Sequence, residues 1–336
     1  MEAVRKAGFL AEALIMLASL LAGSAAAQSA LDVVNITPHP HTGLAGAGSQ
    51  APLLRKSVDL VLLPVSVTDN MERLVVGLGP ANFSIFDGRR PQQIRHFSSE
   101  DAPLSVGVIV DTSGSMKNKI DRAREAVTQF CGAANLQDEF FLITFSSQPH
   151  LLTGFTRPEE IPQHLLFAKP GGETALLDAL YMGLREMQQA KYSKKALLLI
   201  SDGGDNHSRY SERELTSAVK ESDVMIYAIG TFDRNVPTQE ELLGPSMLAD
   251  VAAVTGGRAF VLDNPNDMPA VAHRIGTELR TQYVLGYQPD EIPHDGRWHK
   301  IRVKLILPKH LPFFRVHART GYYAANDASL DHKPAQ

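Results

Sequence analysis

Three short clusters of oxygen-bearing residues, far apart in the chain, carry the side chains to share one divalent cation. They are Asp111-Thr112-Ser113-Gly114-Ser115, Thr174 within Gly171-Gly172-Glu173-Thr174, and Asp202 within Ser201-Asp202-Gly203-Gly204. Asp111, Ser113, Ser115, Thr174 and Asp202 all offer hard oxygen, with no thiolate or imidazole among them. Such a donor set selects magnesium, manganese or calcium over zinc or copper. Each cluster closes an apolar run or opens a helical pattern. In an open parallel sheet the loops at the carboxyl ends of the strands converge on one crevice, so residues this distant in sequence can meet a single ligand.

The elements that must place these residues follow from the hydrophobic pattern. Val106 to Val110, Phe140 to Phe145, Ala196 to Ile200, Val224 to Ile229 and Ala259 to Leu262 are near-continuous apolar runs, as expected of parallel strands covered on both faces. Between them lie amphipathic stretches at Lys119–Ala133, Ala175–Gln189, Glu212–Glu221, Met247–Thr255 and Met268–Leu279. Pro149 to Phe155 reads as an antiparallel edge. This alternation predicts an α/β, Rossmann-like, doubly wound and mostly parallel sheet over residues 102–280.

Strand patterns of another kind flank that segment. Val61, Leu63, Val65 and Val67 alternate, as do Phe83 and Ile85, and Ile94 to Phe97 follow Pro91. After Arg280 come Tyr283, Leu285 and Tyr287, then Ile301, Val303, Leu305 and Leu307, then Phe313 to His317. Either set alone leaves an apolar face and two sheet edges uncovered. The expected arrangement is one small β-sandwich made of two halves, 57–99 and 281–324, into which the α/β domain is inserted.

Composition bounds the function classes. The 336 residues are 44% hydrophobic and 21% charged, and 33 basic against 37 acidic residues give a formal charge of −4. Nothing in that balance points to nucleic acid or an anionic membrane. Arg5 and Lys6 precede an apolar stretch from Phe9 to Leu21, and the small residues Ala25-Ala26-Ala27 follow, so residues 1–27 read as a signal peptide cut before Gln28. The apolar stretch is shorter than the ~20 residues of a spanning helix, which disfavours the alternative of a retained anchor. The mature chain is then expected to be secreted or periplasmic, with no later segment able to span a bilayer. Residues 28–56 read as a flexible leader in which His39 and His41 are solvated rather than a metal pair, and residues 325–336 as a disordered tail. Cys131, the single cysteine, lies at helical spacing with Ala123, Val127 and Phe130 and is expected to be a small buried hydrophobe rather than a nucleophile.

Asp111-Thr112-Ser113-Gly114-Ser115-Met116, the distant Thr174 and Asp202-Gly203 resemble the metal-ion-dependent adhesion site of von Willebrand factor type A domains, over about residues 104 to 280. Val65-Ser66-Val67-Thr68-Asp69 and Arg319-Thr320-Gly321-Tyr322-Tyr323 resemble, less specifically, a group of exported bacterial proteins related to that family. The resemblance implies Mg2+ or Mn2+ bound directly by Ser113 and Ser115, directly or through water by Thr174, and through water or by support of the hydroxyls by Asp111 and Asp202. It also implies a protein partner whose Asp or Glu completes the coordination; no enzymatic activity is expected, because His-Glu-x-x-His and Gly-x-Ser-x-Gly patterns are absent. Mostly neutral ligands leave the cation strongly Lewis acidic, and the dipole of the helix 119–133, which begins just after the loop, would favour an incoming anion. Asp205 lies outside the five positions and reads as a second support or, more simply, a solvated loop charge. Two rival readings use the same ion: a hydrolase, which needs a general base that the three loops lack before His207, and a subunit of an exported assembly whose metal only stabilises the fold.

Overall fold

The computed structural model describes residues 60–202, 204–231, 239–289, 295–308 and 313–324. The expected signal peptide, leader (with His39 and His41) and tail lie outside the described residues. In chain order the elements are β1 (Val61–Thr68), β2 (Phe83–Asp87), β3 (Arg90–Gln92), β4 (Ile94–Ser98), β5 (Leu104–Asp111), α1 (Ile120–Gly132), β6 (Glu139–Phe145) and β7 (Pro149–Thr156). There follow α2 (Ile161–Leu165), α3 (Leu176–Glu186), β8 (Lys194–Ser201), α4 (Glu212–Glu221), β9 (Val224–Thr231), α5 (Gln239–Thr255), β10 (Ala259–Leu262) and α6 (Met268–Arg280). The last strands are β11 (Tyr283–Tyr287), β12 (Trp298–Leu305), β13 (Arg315–Ala318) and β14 (Gly321–Tyr323).

The apolar runs become a six-stranded sheet of order β10-β9-β8-β5-β6-β7. Every pairing is parallel except β6 with β7, the antiparallel edge. All eight residues of β5 are buried, and its alternation divides them between two cores. Val106, Val108 and Val110 pack with α1 and α6 through Ala123, Phe130, Ala272 and Ile275. Ile109 faces the opposite layer with Leu176 and Leu180 of α3 and Leu215 of α4. On that face a Cβ at Gly107 would stand 2.2 Å from Phe141, and one at Gly183 of α3 would stand 2.7 Å from Ile109, so both glycines are required by close approach. Because β5 is first in this sheet and the chain goes to β6 on one side and later to β8 on the other, the winding reverses between β5 and β8. A crevice opens outside the carboxyl ends of strands at such a point.

The flanking strands form two four-stranded antiparallel sheets, β13-β1-β11-β4 and β14-β12-β2-β3. Each mixes strands from before and after the α/β segment: β1 pairs with β11 and β13, and β2 with β12. Leu63, Val65, Ile85 and Leu285 are fully buried between them, with Phe83 and Tyr283 rings 5.2 Å apart. Full burial of such side chains contributes about 1.5–3 kcal/mol each, which neither half obtains alone. Ser98 of β4 is the register partner of Val284 of β11, so the chain enters and leaves the α/β segment at neighbouring positions.

Some boundaries differ from the pattern. Helix α5 begins at Gln239, ahead of Pro245, although a proline that lacks a donor reads as a stop. Strand β3 forms across Pro91 at a sheet edge, where no partner needs its missing N–H, and β14 is three residues long. Cys131 is buried in the α1 core, and burial pushes its thiol up to about 12.

A buried charge network joins the two architectures. Glu278 of α6, fully buried, accepts from Tyr227 Oη at 2.9 Å and from Arg258 Nη1 at 2.9 Å. Arg258 also contacts Glu72, which pairs with Arg315 of β13 at 2.7 Å. Glu72 holds φ 61 in the turn after β1, a left-handed conformation uncommon outside glycine. Beside this network His317 shares a 3.0 Å hydrogen bond with Thr68 Oγ1, and burial followed by Arg258 and Arg315 lowers its pKa to about 4.

Acid sensitivity follows from that shift. Folded His317 releases its proton well below the unfolded value of about 6.5, so between those limits the unfolded chain holds more protons, and stability falls as pH drops from about 6.5 toward 4. Urea midpoints at pH 7 and pH 5 should therefore separate more for wild type than for His317→Gln. Equal separations would show that His317 does not carry the acid sensitivity.

Candidate metal centre

The site is assembled from strand ends. Asp111 closes β5 and is fully buried; its Oδ1 accepts from the Ser113 amide at 2.8 Å and its Oδ2 from Ser201 Oγ, at the end of β8, at 2.6 Å. Burial raises the Asp111 pKa to about 6; hydrogen bonds from Ser201 and Ser113 oppose the shift, and the charge of nearby Asp202 adds to it. The anion is therefore held by dipoles in a dry place, a setting that a cation would relieve.

Backbone contacts then draw the loops together. Thr112 is fastened to β6 through its amide and hydroxyl, both donating to the Phe145 carbonyl. Gly171 N–H donates to Thr112 O at 2.8 Å and Gly114 N–H to Gly172 O at 3.0 Å, which lays the Thr174 loop along the Asp111 loop. Gly172 has φ +86, and a Cβ there would come 2.7 Å from Ser147 Oγ. Thr174 is buried, donates its amide to Asn206 Oδ1 at 2.8 Å and accepts from the amides of Asn206 and His207.

Side chains complete the arrangement. Ser113 Oγ and Ser115 Oγ lie 3.1 Å apart, Ser115 Oγ donates to Asp202 Oδ1 at 2.7 Å, and Lys119 Nζ donates to Asp202 Oδ2 at 2.7 Å. Asp111, Ser113, Ser115 and Asp202 thus belong to one hydrogen-bonded set drawn from β5 and β8; the Thr174 loop is tied to it through Gly171 and Gly172, while Thr174 itself bonds to Asn206 and His207. Among the described residues no three His, Cys, Asp or Glu side chains gather as a metal cluster. A cation here would meet chiefly hydroxyls with two carboxylates, a donor set that fits Mg2+ or Mn2+.

Two features depart from the sequence pattern. A 3-10 turn spans Gly114–Asn118, and α1 starts at Ile120 with Lys119 as its N-cap, within one residue of the expected helix start. Lys119, which the pattern offered only as a helix start, is also part of the site. Asp205 is not a free loop charge. Its Oδ1 accepts from the Leu177 amide at 3.2 Å and from Ser208 Oγ, supplying α3 with the acceptor that its N-cap Ala175 lacks. Asp178, in the first turn of α3 and buried, accepts from the amides of Arg209 and Tyr210 and from Arg209 Nε. An acid in a first helical turn was the only sequence signal for that role.

Asp205→Ala should lower stability by about 0.5–2 kcal/mol, as loss of a helix cap does, with Asp205→Asn losing less because it keeps an acceptor. Urea midpoints at constant m-value would measure it, and an alanine variant as stable as wild type would return Asp205 to a solvated charge.

Residues 106–204 match the family model described as the von Willebrand factor type A domain. No curated protein matches the chain. Among solved structures it is similar to a von Willebrand factor type A protein from Catenulispora acidiphila, at 12% identity and TM-score 0.46, over 81% of this chain and 76% of that one. It is similar to the PilB minor pilin from Streptococcus sanguinis, at 14% identity and TM-score 0.44, over 55% of this chain and 63% of the pilin. A third similar structure is proximal thread matrix protein 1 from the mussel byssus with a zinc-occupied MIDAS motif, at 17% identity and TM-score 0.47, over 57% of this chain and 49% of that one. Identities this low leave function to the residues themselves. The stretch that matches the von Willebrand factor type A model runs from β5 to the Asp202 loop, between antiparallel sheets built from the two flanks of the chain.

Proposed function

We propose that this protein is an exported, non-enzymatic binding module in which Asp111, Ser113, Ser115, Thr174 and Asp202 hold Mg2+ or Mn2+ for a carboxylate of a protein partner. The observation that carries this is the hydrogen-bonded run Ser113, Ser115, Asp202, which joins the ends of β5 and β8 at the reversal of the sheet. When bound, the ion supplies a coordination position for an Asp or Glu oxygen from outside. The residues of the chain do the rest. Asp111 orients the loop through the Ser113 amide and Ser201, Ser113 and Ser115 present neutral oxygens, and Ser115 lies at the exposed side, where an outside carboxylate can approach. Export rests on the 1–27 pattern, and among the described residues no helix is long and apolar enough to cross a membrane.

One observation favours a hydrolase instead. His207 Nδ1 pairs with Glu173 beside Thr174, an arrangement that leaves Nε2 free to serve as a base. Both side chains are about half exposed, so the pair lacks the enclosure that sets a base apart from solvent. Turnover that depends on His207 would favour it.

Metal that binds only the native state stabilises it by about 2.7 kcal/mol at a hundredfold excess over Kd, or on the order of 5–10 °C in Tm for a domain of this size. Wild type should melt higher with Mg2+ or Mn2+ than with chelator. Ser113→Ala and Asp111→Ala should stay folded, melt independently of metal, and fail to retain the exported proteins that wild type retains in a chelator-reversible way. A wild type indifferent to metal would refute the metal site, and retention by Asp111→Ala would refute the binding mode.

A further inference from the structure

Asp202 is fully buried, and both of its oxygens are engaged: Oδ1 by Ser115 Oγ and Oδ2 by Lys119 Nζ, each at 2.7 Å. A buried carboxylate needs a counter-charge, and among the described residues the cation paired with it is Lys119. Asp111, by contrast, is held by an amide and a hydroxyl. The Lys119 side chain is 21% exposed, so its ammonium reaches the site from the solvent side. Its position is fixed by the fold, at the N-cap of α1 immediately after the 3-10 turn that carries Ser115.

We infer that Lys119 is a tethered competitor of the divalent cation: its ammonium occupies Asp202 in the metal-free protein and must leave when the metal binds. The inference rests on the metal reading above and adds a control to it. An ammonium is a compact charge on a flexible four-carbon stem, so it can withdraw to water without moving the helix. While it sits on Asp202 it neutralises one of the two carboxylates available to the ion and repels a second positive charge at short range. The site is therefore set to load only when the free ion is plentiful enough to displace a residue already in place.

The test is a titration with Mn2+, following free ion by electron paramagnetic resonance, on the full chain with wild type, Lys119→Met, Lys119→Gln and Ser113→Ala. Lys119→Met should bind Mn2+ at least tenfold more tightly than wild type, and in chelator it should melt at a lower temperature because Asp202 has lost its partner. Lys119→Gln keeps a neutral donor for Asp202, guards against a methionine variant that fails to fold, and should also bind more tightly than wild type. Tight binding by the Lys119 variants with none by wild type supports the same conclusion in its strongest form. If wild type binds Mn2+ and neither Lys119 variant binds more tightly, Lys119 supports the ion rather than competing with it, and the inference is overturned while the metal site stands. If wild type and both Lys119 variants bind no Mn2+ beyond the level of Ser113→Ala, the metal site itself is refuted, and the competitor with it.

Discussion

Two carboxylates placed in a dry interior at the ends of adjacent parallel strands are the constraint around which this molecule is arranged. Asp111 and Asp202 are both fully buried, on loops leaving β5 and β8. A buried anion without compensation costs several kcal/mol, so each of the two draws donors to itself. The Ser113 amide and the Ser201 hydroxyl serve Asp111, and Ser115 and Lys119 serve Asp202. Those donors dictate the path of the loop after β5, including the 3-10 turn that precedes α1. The glycines at 171 and 172 then bring in a third loop by backbone bonds, and Asn206 Oδ1 accepts from the Thr174 amide.

A second buried charge centre does for the junction what the first does for the crevice. Glu278 on α6 is compensated by Arg258 and Tyr227, and Arg258 reaches Glu72 in the turn after β1. Breaking such a pair leaves a charge uncompensated, at a cost of about 3–5 kcal/mol. The α/β segment is accordingly linked to its flanking sheets by more than the two crossings of the chain. The left-handed backbone at Glu72 is best understood as local strain accepted so that its carboxylate meets Arg258 and Arg315.

Much of this was legible in the sequence because the strands of a parallel sheet are buried on both faces, and a short continuous apolar run such as Val106–Val110, bounded by polar turns, is what double coverage demands. The flanking strands were legible as alternation, and that the two flanks must pair followed from the faces each leaves bare. The five oxygen-bearing residues stand out in the sequence because they close apolar runs or open a helical pattern, as Thr174 does ahead of α3. The hidden parts are those decided by tertiary contact. Asp205 looks like any loop acid until the fold places it under the Leu177 amide, and Lys119 looks like any helix-start lysine until β8 sets Asp202 within reach. Helix α5 starts at Gln239 rather than at Met247, where its amphipathic stretch begins, and it continues across Pro245. Pattern reports what a residue prefers; these roles depend on what it meets.

The chemistry of the donors carries one step further. With Lys119 in place, the crevice holds two carboxylates against one ammonium, a net negative site that would repel an acidic partner. A divalent cation in the place of that ammonium brings the two carboxylates to neutrality, and the displaced lysine adds a positive charge at the rim. On the proposed reading, then, exchange of one cation for the other changes not only which atoms touch Asp202 but the sign of the field that an approaching carboxylate meets. Fields of this kind act on association rate as much as on affinity, because they steer the encounter before contact is made. A site built from neutral hydroxyls with few carboxylates is the composition that permits this reversal. Further acids would hold the ion more tightly and cancel the positive charge left after loading, so that the field would not change sign.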